Sequence, residues 1–183
     1  MVSVKSAEYA SSSDFCRIFD QQMDSLYLLS FLLTADREKA EQCFVSGLED
    51  SVSGNRVFKE WAPAWARRMI IKNALRVMDP QPAGPDRPTI QPIDRNDKSP
   101  QPERSEIPAI LALPSFERFV YVMSVLERYS DQDCSLLLGC RRRDVMAGRV
   151  RALARFARFV EARGIPAGSG RRRMVPSLLG VGA

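Results

Sequence analysis

The stretch SDQDCSLLLGCRRRDVMAGRVRALARF, residues 130–156, decides how the second half of this chain folds. Ser130 begins S-x-x-D, a pattern in which a hydroxyl and a carboxylate satisfy the orphan N–H groups of a new helix. That helix is predicted over 131–138, Gly139 supplies the permissive backbone of a tight turn, and a second helix runs from 142 to about 163. Such spacing is that of a helix-turn-helix, whose second helix meets base edges with its first residues while flanking arginines meet phosphates. In that geometry Leu136, Leu137 and Leu138 brace the pair, and Arg141, Arg142, Arg143 and Asp144 open the reading helix. Val145, Val150 and Leu153 are then expected to hold it against the core. Arg149, Arg151, Arg155 and Arg158 are spread around the helix, so only some of them can face DNA at once. A helical hairpin with a solvated basic face explains the same periodicity, and the segment alone does not separate the two readings.

Working outward, Leu113-Pro114 marks a break, because proline suits a helix start and disfavours helical geometry in the residue before it. Helices are therefore predicted over 107–113 and 115–127 ahead of the quoted stretch. Before them, residues 79–106 carry seven prolines and almost no apolar side chains, which reads as an extended linker. The first half shows helical spacing throughout. Ser13 or Asp14 can cap one long amphipathic helix bearing Phe15, Ile18, Phe19, Met23, Leu26 and Tyr27. Asp36 caps a second helix with Ala40, Phe44 or Cys43, Leu48 and Val52 on one face, ending at Gly54. A third places Pro63 in its first turn and Trp65, Met69, Ile70, Leu75 and Met78 in an apolar stripe beside Arg67, Arg68, Lys72 and Arg76. No segment alternates with a period of two. The expected fold is all-α, with two small helical domains at 12–78 and 107–163 joined by the 79–106 linker, and a disordered basic tail at 164–183.

Composition bounds the chemistry. The chain has 183 residues, 45% hydrophobic and 27% charged, which suits a packed core. Its net charge is only +5, but residues 141–173 are crowded with arginine against one Asp and one Glu, which suggests an anionic partner. The absence of histidine excludes Ser-His-Asp and Cys-His nucleophilic systems, HExxH metal sites and a histidine general base, and no phosphate-binding glycine motif occurs. A non-enzyme without cofactor is expected. Cys16, Cys43, Cys134 and Cys140 form no CxxC pair, as fits reduced, mostly buried thiols and no metal site. With no signal-like or membrane-spanning apolar run, a cytoplasmic location away from membrane is expected. Trp61 and Trp65, one helical turn apart and beside Arg67, Arg68 and Lys72, could stack on unpaired bases, or could simply be core.

The order of both halves resembles the extracytoplasmic-function (ECF) group of sigma-70-family RNA polymerase sigma factors. LPSFERFVYVMSVLERYSDQDCSLLLGC, residues 113–140, is similar to that family's region 4 at Leu113-Pro114, Glu117-Arg118, Val120, Ser130 and Leu138-Gly139-Cys140, as is Val145 after it. LTADREKAEQCF, residues 33–44, resembles the region 2 segment that contacts the polymerase clamp, and VFKEWAPAWARRMIIKNAL, residues 57–75, resembles its promoter-melting helix. The resemblance implies a transcription initiation factor whose partners are core RNA polymerase and promoter DNA, and it leaves room for an anti-sigma factor. It implies polymerase contact through Asp36, Ala40, Glu41, Phe44 and Val45. It implies DNA contact at the −10 region through Trp61, Trp65, Arg67, Arg68, Lys72 and Asn73. At the −35 element it implies Arg141, Arg142, Arg143, Asp144, Arg149, Arg151 and Arg155. Val45-Ser46 stand where the family carries a Gln-Glu pair, and Met146-Ala147-Gly148 where it carries basic residues. The alternative is a diverged sigma-like protein that keeps the fold and serves as a protein-interaction or regulatory DNA-binding module without initiation.

Overall fold

A computed structural model describes residues 8–54, 56–82 and 106–162 of the chain. Most of the expected linker and all of the expected 164–183 tail lie outside those residues. Among the described residues the fold is all-α, as the sequence predicts, with one isolated antiparallel bridge between Tyr9 and Phe58.

The first helices form where caps and apolar faces coincide. Helix α1 (Ser12–Gln21) is capped by Ser11, whose Oγ accepts from Asp14 N–H while Asp14 Oδ2 accepts from Ser11 N–H at 2.9 Å. The cap thus lies two residues before the expected Ser13. The single long helix is in fact jointed at Gln22, where α2 (Met23–Thr34) begins. Hydrogen bonding survives the joint: Gln22 N–H donates to Ile18 O and Gln22 O accepts from Leu26 N–H, each at 2.9 Å. Asp36 caps α3 (Arg37–Ser53) as predicted, through Lys39 N–H at 2.9 Å. The face that α3 buries is small: Ala40, Cys43, Gly47 and Ser51. Small residues are needed because α4 (Ala62–Met78) lies so close that a Cβ on Gly47 would stand 2.6 Å from Ile70 Cδ1. That phase turns Val52, expected inside, out to solvent. Pro63 sits in the first turn of α4, and Ala66, Met69, Ile70, Ile71 and Ala74 form its inner stripe.

The second group comprises α5 (Ile107–Leu111), α6 (Ser115–Tyr121), a wider π-helical turn (Val122–Leu126), α7 (Asp131–Leu138) and α8 (Arg142–Ala162). Helix α8 lies on α6 through Val145, Gly148 and Ala152, and Phe156 stacks on Tyr121 at 5.5 Å. A Cβ on Gly148 would meet the Phe116 ring at 2.8 Å, so glycine lets the two helices touch. This contact sets the rotation of α8. It corrects the expected inner positions Val150 and Leu153, which are 67% and 45% exposed. Likewise Leu136 is 69% exposed, while Cys134 and Ser135 are buried and Leu137 and Leu138 pack on the core edge.

The helical groups at 12–78 and 107–162 meet in one hydrophobic core, where Leu29, Leu33 and Ile70 join Ile110, Phe116, Phe119 and Met123. Buried Arg118 pins the contact. Its guanidinium donates to Leu33 O at 3.1 Å and Thr34 O at 3.4 Å, at the carbonyl end of α2, and to Leu113 O at 3.0 Å. A charged donor fork matched to several carbonyls offsets the cost of burying it.

Candidate nucleic-acid interface

The α7–turn–α8 unit is built by local chemistry. Ser130 Oγ accepts from Asp133 N–H at 3.1 Å and starts α7. Gly139 closes α7 with φ 61, a left-handed conformation that glycine adopts without a Cβ penalty. Asp144, expected among the base readers, faces its own helix start: its Oδ2 accepts from Arg141 N–H at 3.2 Å. Arg141, Arg142 and Arg143 are exposed around that start, where three guanidinium groups add to the positive end of the α8 dipole.

The remaining arginines of α8 that sequence placed at DNA are engaged within the fold. Arg149 grips Asp131 with two bonds, 2.6 and 3.2 Å, tying α8 to α7. Arg151 and Arg155 both reach Glu117 of α6, at 2.9 and 2.8 Å, and that carboxylate is 4% exposed. Arg158 is exposed.

A second basic face surrounds the start of α4. Trp61 is 59% exposed in a short 3₁₀ turn (Lys59–Trp61), edge-on to Phe58 at 5.3 Å. Trp65 is half-buried, and its indole Nε1 is buried with no hydrogen-bond partner. Arg67 Nε donates to Glu127 Oε2 at 2.6 Å and its Nη2 to Oε1, and this carboxylate raises the arginine's already high pKa. Arg68 and Lys72 stand beside it and make no ion pair among the described residues. Together these residues form one wall of a cleft of about 1070 Å³, and the α6–α7 turn, with Leu126, Arg128 and Tyr129, forms the other. Burial raises the Tyr129 pKa, and Arg68 opposes the shift.

Arg56, Arg128 and Tyr129 were missed from the sequence. They belong to no helical stripe, and their only local signal is the cation–aromatic pair Arg128-Tyr129 directly before the Ser130 cap. Asn73 faces away from the cleft: it is buried, donating to Asp50 Oδ2 at 3.0 Å and to Met69 O at 2.9 Å. On α3, Asp36, Glu41 and Val45 are exposed, Ala40 is buried, and Phe44 packs edge-on against Phe19 and Tyr27.

Among the described residues no helix is long and apolar enough to cross a membrane. Among the described residues the chain is all-α and carries two basic faces, one at the start of α8 and one around the start of α4. No protein-family model and no curated protein matches the chain.

Proposed function

We propose that this chain is a sigma-type transcription initiation factor that binds core RNA polymerase and directs it to promoter DNA, acting in the cytoplasm with the polymerase. On this reading 12–78 is a region 2-like unit, 107–163 a region 4-like unit, and 79–106 the Pro-rich connection between them. The observation that carries it is the trio Arg141, Arg142 and Arg143, exposed at the start of the second helix of a Ser-capped, Gly-turned helix pair. The resemblance of residues 113–140 to region 4 supports the same assignment. Guanidinium groups there would read guanine edges at the −35 element and neutralise phosphates. At the −10 region the cleft on α4 would hold an unpaired strand, with Trp61 as a stacking platform and Arg68, Lys72 and Arg128 along the backbone. Polymerase would meet α3 at Asp36, Glu41 and Val45.

Purified protein mixed with core RNA polymerase tests the proposal, by co-elution and then promoter-directed transcription. Stable co-elution with initiation is expected. Absence of any core binding would sink the proposal.

A second reading is favoured by one observation: Arg149, Arg151 and Arg155 are consumed by internal ion pairs, so α8 offers fewer phosphate contacts than its sequence suggests. This is the diverged sigma-like protein that acts as an interaction or regulatory module. It is distinguished by polymerase binding without initiation, or by DNA binding without polymerase binding.

A further inference from the structure

We propose that the outer face of α8 is a docking surface for the outer face of α3 in a second copy of this chain. Turning Val145, Gly148 and Ala152 inward leaves Met146, Val150 and Leu153 outward, 51%, 67% and 45% exposed. Ala147, Ala154 and Ala157 are exposed beside them. Met146, Val150, Leu153 and Ala157 follow at intervals of four, three and four residues, the seam along which one helix packs against another. Small alanines on its flank allow close approach. Phosphate oxygens find no donor on such a seam, whereas an amphipathic helix does find a match, and exposed apolar stripes of this kind mark protein contacts.

Charge selects the occupant. Exposed Arg142 and Arg143 stand at one end of the seam and exposed Arg158 at the other; Asp144 is turned to the Arg141 N–H and lies 3.9 Å from Arg143, and no carboxylate follows it as far as Arg158. Pairing α8 with another α8 would bring these cations together. The outer face of α3 is the complement: Glu38, Glu41, Val45, Glu49 and Val52, all exposed, recur at intervals of three, four, four and three residues. None of these three glutamates makes an ion pair among the described residues. Val45 and Val52 are 53% and 39% exposed, and supply the apolar half of the contact. The seams also match in length, roughly 17 Å from 146 to 157 and roughly 21 Å from 38 to 52, at about 1.5 Å per residue. In either direction the α3 acids fall near the α8 arginines. The docking does not depend on the function proposed above. If that function holds, the same contact covers the polymerase face on α3 and the reading helix at once.

A contact between two different faces is heterologous, and this dictates the test. Sedimentation of the full chain over roughly a hundredfold range of concentration should show self-association that weakens at high salt. Val150→Glu removes the α8 seam and leaves α3 intact; Val45→Lys does the reverse. Each variant alone should sediment as a monomer over the whole range, with the wild-type far-UV circular dichroism spectrum because both sites are exposed. An equimolar mixture of the two variants should regain a one-to-one complex. A monomeric wild-type chain would overturn the proposal, as would self-association untouched by Val150→Glu. Variants that dissociate singly yet stay apart when mixed would also overturn it, as would self-association untouched by Val45→Lys, which marks a contact of α8 with α8.

Discussion

Gly148 shows how one missing side chain positions a helix. In an exposed helix interior, alanine would exceed glycine by about 0.5–1 kcal/mol. Here the added Cβ would stand 2.8 Å from Phe116 Cε1 and 3.4 Å from Val120 Cγ2, both on side chains that are at most 3% exposed and have little room to yield. Overpacking of this kind costs about 1–3 kcal/mol. Gly148→Ala should therefore lower the unfolding free energy, measured by urea titration, by a net of about 1 kcal/mol, and a stabilised variant would show that the ring moves aside. Cysteines carry a second consequence at this scale. Burial pushes the thiols of Cys43 and Cys134 up to about 11. Their unfolded value is lower, 9.0, so the unfolded chain ionises first as pH rises. Stability due to these two groups is complete below pH 9 and is lost progressively toward pH 11. The double variant Cys43→Ala, Cys134→Ala should lose that part of the alkaline slope, measured as unfolding midpoints across pH. An unchanged slope would place its origin elsewhere.

At the scale of elements, α8 divides into a free start and a clamped body. Arg142→Ala should weaken binding to a cognate promoter duplex by about 1–3 kcal/mol and relax base preference, if its fork reaches a guanine. Arg155→Ala should act differently. It removes one of two arginines from buried Glu117, so its effect should fall on unfolding midpoints. About 1 kcal/mol is expected, kept small because Arg155 itself is 53% exposed. Its log–log salt slope for DNA binding should stay unchanged. A slope reduced by about 0.9 would show that Arg155 leaves Glu117 for a phosphate.

At the scale of the whole molecule, the two helical groups share a core, and the aromatic–cationic cleft lies between them. Glu127 of the second group holds Arg67 of the first, with side chains 11% and 30% exposed. Glu127→Ala should release that guanidinium into the cleft. Binding of a single-stranded oligonucleotide, followed by anisotropy across salt, should strengthen severalfold and steepen in slope by about 0.7. A slope equal to wild type would show that Arg67 does not reach the strand.

The sequence by itself determined what short-range chemistry decides. Asp36, Pro63, Ser130 and Gly139 act on backbone groups within a few residues, so the starts of α3, α4 and α7 and the turn before α8 were legible from their letters. The phase of each helix was not. Val52, Val150 and Leu153 obey the apolar periodicity yet face water, because close contacts at Gly47 with Ile70 and at Gly148 with Phe116 fix the rotation. The candidate site divides the same way. Exposure of Arg141, Arg142 and Arg143 follows from their place at a helix start. The pairing of Arg149, Arg151 and Arg155 within the fold depends on Asp131 and Glu117, carboxylates 18 and 34 residues away from Arg149 and Arg151. Periodicity cannot encode such partners, since one helix face records only that a neighbour exists, while packing alone selects which neighbour it is.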